Sequence, residues 1–311
     1  MVKNSNDGQA VVDVLREINM AHDGMLGFAY AVTALFSFSL SPLLYKVGLR
    51  NKLHVLEANT LRAWGALALL TPILIFQGFS SASFTAELAV FLVLTAILGP
   101  VIGDTLFMYA IRGIGVSIST PLANTYSLVV AVFSVALFGE KLTSINILGG
   151  ALILSSIWLI YLERKSIGKG RNVVLGLLAG IATAILWGLS IIAMNVLLIN
   201  NISPIVIIYF RTVIVALTLT IITKALKMNF KGKVNGKTLA ALSIGGFFGI
   251  GFGVIMLLNA ITLLGAGRAS LIASASPVVA SILAMLLLKE KFRVRAIIAA
   301  VLVTIGAVLL K

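Results

Sequence analysis

The sequence predicts an all-α polytopic membrane protein with ten transmembrane helices arranged as two inverted five-helix repeats. Three observations carry this. The 311 residues are 60% hydrophobic and only 11% charged, with a mean hydropathy of +1.11, whereas a soluble domain carries about 25% charged residues. The apolar residues fall in long uninterrupted runs, and a helix needs about 20 of them to cross a bilayer. Finally, the chain repeats itself at an offset of 150 residues.

In chain order, residues 1–24 form an N-terminal tail with four acids and two bases. It has no apolar core, so it is not a signal peptide, and "VVDVLREINM" within it reads as a short amphipathic helix. Met20 and Met25 stand as alternative starts. Ten apolar runs follow, at 25–44, 58–77, 88–111, 116–138, 144–162, 173–199, 204–223, 239–264, 269–288 and 294–310. They lack the period-two alternation of a β-barrel and are helical. Only "RGIG" separates the third from the fourth, and "LGAGR" the eighth from the ninth.

Gly99, Gly103, Ala110-Ile111, Gly115, Ala123 and Leu137 recur as Gly249, Gly253, Ala260-Ile261, Gly265, Ala273 and Leu287, and "GEKL" at 139–142 faces "KEKF" at 289–292. Arg62 recurs as Arg211 at an offset of 149. The repeating units are residues 25–163 and 173–311. Each has five spans, an odd number, so the second enters the membrane with opposite orientation. That is the plan of secondary transporters that bind substrate near the midplane, between the repeats.

Small residues let helices approach closely where lipid offers no hydrophobic gain. Gly99 and Gly103 share a face, as do Gly180, Ala184 and Gly188, and again Gly245, Gly249 and Gly253. Packing and room for a substrate are both open readings of these sets. Pro121 and Pro277 lie inside the fourth and ninth spans, where each removes a backbone donor and kinks its helix.

The sequence contains no HExxH, GxSxG or Walker loop, so no enzyme chemistry and no cofactor are expected. The absence of Cys excludes disulfides and thiolate metal sites, and His22 and His54 are the only histidines. The net charge of +14 does not mark a nucleic-acid binder, because the Lys and Arg cluster in short segments between apolar runs.

Polar groups inside the spans are the functional candidates, since lipid disfavours them. Asp104 is the one acid away from a span end. Glu140 and Glu290 sit at the mouths of the fourth and ninth spans, where capping or pairing with Lys141 and Lys291 is expected. Arg62 and Arg211 lie one or two turns inside the second and seventh spans; snorkelling to the interface and facing a substrate pathway are both open to them. An arginine on a pathway suits a carboxylate or phosphate, which it grips with two parallel hydrogen bonds. Tyr109, Asn124, Trp187, Ser190 and Asn259 complete the pathway candidates, with Tyr126 and Asn195 behind them; each can instead bond a neighbouring helix. Ser37, Ser39 and Ser41 can bond the preceding turn.

Asp104 lies eight residues from Arg112 at the span end, or ~12 Å along a helix. Arg62 enters its own span from the same side, so the two charges sit at similar depth and are expected to pair. Val254 occupies the Asp104 position in the second copy, which leaves Arg211 without an equivalent partner. Protonation of Asp104 would couple transport to protons; a static structural pair is the alternative.

Two tandem five-span units, "GDTLFMYAI" closing a third span and a small-residue fourth span ending in "GEKL", resemble the EamA family of the drug/metabolite transporter superfamily, over residues 25–310. The second copy has "ASASPVVASILAMLLLKEKF" in the same role. The resemblance implies a multi-pass transporter with ten helices around a central cavity, exporting amino acids, other metabolites or drugs. The partners are then a small-molecule substrate, the lipid bilayer and protons. Lipophilic cations are disfavoured, because the small multidrug exporters of the superfamily carry an acid in the middle of the first span and this chain has none there. The other reading is a structural or receptor-like membrane protein that transports nothing.

The expected location is the plasma membrane. Seventeen Lys and Arg follow odd-numbered spans, against five on the other side with both termini. The positive-inside bias therefore places the termini outside, whereas the resemblance implies termini in the cytoplasm.

Overall fold

The computed structural model describes residues 5–49, 53–77, 85–162, 171–288 and 294–310, and these are helical throughout apart from short connections. The helices are α1 (Ser5–Gly48), α2 (Val55–Gln77), α3 (Ala86–Ile114), α4 (Val116–Asn124 with Tyr126–Phe138) and α5 (Ser144–Leu162). The second set is α6 (Arg171–Ile199), α7 (Pro204–Ala225), α8 (Gly236–Leu264), α9 (Ala266–Ala273 with Ser276–Leu288) and α10 (Val294–Leu309). The tail and the first span are one continuous helix, since Gly24 alone does not stop it.

Among the described residues, seven helices are long and apolar enough to cross a membrane: α1 from His22, α2, α3, α4 from Ser119, α6, α7 and α8. A shorter apolar helix covers Ser144–Leu159. α9 is built of pieces of 8 and 13 residues, interrupted as α4 is, and α10 has 16.

The two sets of five pack in a mutually exchanged pattern. α2 packs on α7 and α5 on α10, like against like. The second half of α3 packs on α6, and the second half of α8 packs on α1; α4 packs on α6, and α9 on α1. Swapping the copies maps each contact onto another, which is the signature of a pseudo-twofold axis between them. At the α5–α10 crossing the backbones almost touch, because a Cβ on Gly149 would lie 2.7 Å from the Gly306 carbonyl oxygen.

Three local features repeat with the copies. α3 passes into π-helical register over Ile97–Gly103, where Pro100 has no N–H to offer, and Asp104 N–H reaches back to the Gly99 carbonyl. α8 does the same over Phe247–Phe252 without a proline, so the proline is not the shared feature; in both helices glycines here admit side chains from neighbouring helices. Gly115 and Gly265 turn the chain between third and fourth helices at φ 77° and 85°, a region open to Gly and strained for other residues. The fourth helices break at matching points: Thr125 N–H bonds the Leu122 carbonyl and Ala275 N–H bonds that of Ile272.

Side-chain contacts sort the connections into two ends. At one end Arg112 bonds the Leu53 carbonyl, Tyr109 Oη meets His54 Nε2 at 3.0 Å, and Lys233 Nζ bonds both oxygens of Glu57 at 2.8 and 3.0 Å. At the other, Glu140 Oε1 and Oε2 accept the N–H groups of Ala266 and Gly267 at 2.6 and 3.0 Å, and Asn146 Nδ2 donates to the Leu309 carbonyl. Phe76, Ile221 and Val132 stand exposed on the outside of the bundle, as lipid contact requires.

Candidate functional site

A cavity of about 100 Å³ lies between the copies, lined by both. The repeat extends into it residue by residue. At an offset of 149, Phe38, Ser41, Pro42 and Tyr45 of α1 correspond to Trp187, Ser190, Ile191 and Met194 of α6, and Arg62 to Arg211; at 150, Asp104, Phe107 and Tyr126 correspond to Val254, Leu257 and Ser276. All of these line the same cavity.

The first half-site centres on Arg62, 1% exposed, and Asp104, 5% exposed. Arg62 Nη2 donates to Asp104 Oδ2 at 2.5 Å, and Arg62 Nη1 donates to Tyr45 Oη at 3.0 Å. The Tyr45 hydroxyl donates in turn to the Gly245 carbonyl at 3.0 Å, and the guanidinium carbon lies 5.0 Å from the Tyr45 ring centre. Trp187 Nε1 donates to Asp104 Oδ1 at 2.7 Å. Both carboxylate oxygens are thus bound, one by a cation and one by a neutral N–H from the other copy. Charge-assisted bonds of this kind are the strong ones.

The second half-site keeps the arginine and loses the acid. Arg211 Nε donates to the Thr95 carbonyl at 3.3 Å, and Nη2 donates to Ser190 Oγ, also at 3.3 Å. Ser190 in turn donates to the Thr95 carbonyl at 2.9 Å. Arg211 Nη1 is buried with no hydrogen-bond partner among the described residues. Gly99 makes this placement possible, because a Cβ there would run into the guanidinium and the Ser190 hydroxyl. The apolar Val254 stands where symmetry would put a carboxylate.

A polar corner lies on α4 and α9. Asn124 Nδ2 donates to the Thr120 carbonyl at 2.9 Å, and its Oδ1 accepts from Ser276 Oγ at 3.2 Å. Tyr126 Oη and Thr120 Oγ1 are buried without a partner among the described residues. Trp187 packs between Phe107 and Tyr126, with ring centres 5.0 and 6.1 Å away.

Of the residues singled out in the sequence, Asp104, Arg62, Arg211, Asn124, Trp187 and Ser190 therefore meet at one cavity. Tyr109 and Asn259 do not. Tyr109 is 41% exposed and bonds His54 at the end of the bundle, and the Asn259 amide is turned back to the Ile255 carbonyl of its own helix. Pro121 lies four residues before the break at Thr125, and Pro277 two after that at Ala275, so the breaks match between copies although the prolines do not. Glu140 caps α9 rather than pairing with Lys141; Glu290 and Lys291 lie outside the described residues. Ser37, Ser39 and Ser41 each bond the carbonyl four residues back.

Sequence reasoning missed Tyr45, Phe38, Phe107 and Thr120. The repeat held the signal for Phe38 alone: carried into α1 and α6, it aligns Phe38 with Trp187 and Ser41 with Ser190.

Known proteins agree with this architecture. A curated relative from Archaeoglobus fulgidus (strain ATCC 49558 / DSM 4304 / JCM 9628 / NBRC 100126 / VC-16), described as an uncharacterized transporter, is 26% identical over 287 residues, covering 92% of this chain and 98% of its own. A crystal structure with 18% sequence identity shares the fold, with a TM-score of 0.72 over 91% of this chain and 94% of that one. One family profile matches twice, once for each copy, over residues 25–162 and 174–311, and on that ground the chain belongs to the EamA-like transporter family as a multi-pass membrane protein.

Proposed function

We propose that this membrane transporter is a secondary transporter that carries a small anionic metabolite by alternating access, on ten crossings arranged as two inverted repeats. In this reading Arg211 holds the anionic group and the Arg62–Asp104 pair answers to protons. The observation that carries it is Arg211, a buried arginine on a cavity between the copies whose Nη1 has no partner among the described residues, at the position whose counterpart is matched to a carboxylate. A buried charge without a partner is unfavourable, and a substrate anion supplies what Val254 withholds.

Protonation of Asp104 removes the charge that Arg62 and Trp187 both hold. Arg62 is then drawn to a substrate anion in the same cavity, and loss of the proton returns it to Asp104. Binding of substrate and of proton thereby favour each other, which is the linkage a proton-coupled carrier needs.

The test is uptake into proteoliposomes under an imposed pH gradient, with candidate monocarboxylates as cargo. Arg211→Ala is expected to lower uptake about 30-fold or more, the effect of removing one partner of a buried charge pair. Asp104→Asn keeps the shape and removes the charge, so it is expected to abolish the dependence of uptake on the gradient while leaving exchange at equal pH. Unchanged gradient dependence in Asp104→Asn overturns the coupling role, and unchanged uptake in Arg211→Ala overturns the anion site.

A further inference from the structure

We infer that the ligand of this cavity is a small monocarboxylate whose second polar group is neutral, a hydroxyl or a carbonyl, and not a zwitterion bearing an ammonium. The inference rests on the reading of Arg211 as the anion-holding group and narrows it.

The first argument is charge. The cavity lining holds two cations, Arg62 and Arg211, and one acid, Asp104. With Asp104 ionised, one negative charge on the ligand brings the site to neutrality; with Asp104 protonated, the wall is more cationic still and rejects an ammonium more strongly. An ammonium added to that ligand meets a wall that has no acid to spare, because Asp104 Oδ2 is bound by Arg62 and Oδ1 by Trp187. A desolvated cation needs a pairing anion.

The second argument is the set of unmatched groups at the polar corner. Tyr126 Oη and Thr120 Oγ1 are buried without partners among the described residues, while the Asn124 amide is already used by the Thr120 carbonyl and Ser276. Both free groups are hydroxyls, which donate as well as accept. A ligand hydroxyl or carbonyl satisfies them; an ammonium, with three donors and no acceptor, leaves their protons unused.

The third argument narrows the other refuge for a cation, the faces of the aromatic rings. Trp187 is packed between Phe107 and Tyr126, and the Tyr45 ring already has the Arg62 guanidinium 5.0 Å from its centre.

The test uses the full-length purified protein and matched pairs of probes that differ only in hydroxyl against amine: lactate and alanine, 3-hydroxybutyrate and 3-aminobutyrate, 4-hydroxybutyrate and 4-aminobutyrate. The three pairs vary the spacing between the carboxylate and the second group. Equilibrium binding is read by ligand-induced thermal stabilisation, and transport by uptake into proteoliposomes. In at least one pair the hydroxy acid is expected to bind about tenfold or more tightly than the amine, as a site built to bond a hydroxyl discriminates. Tyr126→Phe is expected to shrink that ratio in the same pair, and Arg211→Lys, which keeps charge and fold, to weaken the hydroxy acid. Amines that bind as well as the hydroxy acids and depend on Arg211 overturn this inference and leave the anion site standing. Binding of neither member of any pair, or binding indifferent to Arg211→Lys, overturns both.

Discussion

Arg62 and Asp104 show how a charge is kept inside a membrane protein. Each is nearly fully buried, and neither is tolerable alone. Asp104 has its two oxygens bound by Arg62 and Trp187, and Arg62 shares its other terminal nitrogen with Tyr45. Removing one partner of such a pair typically costs about 3–5 kcal/mol, most of it for the stranded charge, while replacing both with apolar residues is often neutral. Asp104→Leu alone is therefore expected to lower stability by about that much, and the double substitution Arg62→Met/Asp104→Leu to restore most of it. Unfolding in mixed detergent micelles measures both; a double variant as unstable as Asp104→Leu would show that the loss comes from packing and not from charge. Trp187→Phe removes one bond to the carboxylate and keeps most of the ring, with an expected loss of about 1.5–3 kcal/mol. This pairing was legible in the sequence, because Asp104 and Arg62 enter from one side at similar depth. Tyr45 was not. Its counterpart is Met194, so nothing in the repeat marks that hydroxyl as polar partner to an arginine.

The helices meet through small residues and one clasp. Glu140, at the end of α4, places both carboxylate oxygens on the first N–H groups of α9, where an anion also meets the positive end of the helix dipole. It thus ties the fourth helix of one copy to that of the other. Glu140→Gln keeps one acceptor, and its expected loss is a fraction of the ~1–2 kcal/mol expected for Glu140→Ala; equal stability of all three proteins would show the clasp to be idle. At the α5–α10 crossing, Gly149 and Gly306 set the distance between backbones. Gly306→Leu is expected to force these helices apart. It should lower the unfolding temperature more than Gly24→Leu, at a position where an added Cβ would meet nothing within 4 Å. The breaks in α4 and α9 were only half legible. Pro121 and Pro277 announce irregularity in the right helices, but not where it falls. The matched breaks at Thr125 and Ala275 follow the repeat, not the prolines.

At the scale of the whole molecule, the odd number of helices per copy makes the repeat legible as an inverted pair, and the exchanged packing of α3 on α6 and α8 on α1 gives it physical form. What the apolar runs do not reveal is that the fourth helix of each copy is interrupted: α4 is built of pieces of 9 and 13 residues and α9 of 8 and 13. Orientation is a separate question, and charge addresses it. Seventeen Lys and Arg follow odd-numbered runs and five lie on the side of the termini. The contacts of Arg112 with Leu53 and of Lys233 with Glu57 gather the connections after α1, α3 and α7 at one end of the bundle, while Glu140 and Asn146 mark the other. Cationic segments are retained in the cytoplasm, so the end holding Lys233 is expected to face inward and the termini outward. The chain has no Cys, so single introduced thiols report without background. Asn200→Cys, exposed between α6 and α7, is expected to react with an impermeant maleimide in intact cells. Lys231→Cys, exposed between α7 and α8, is expected to react only after permeabilisation. The opposite pattern would place the termini inside and show that the balance of charges does not set the orientation of this chain.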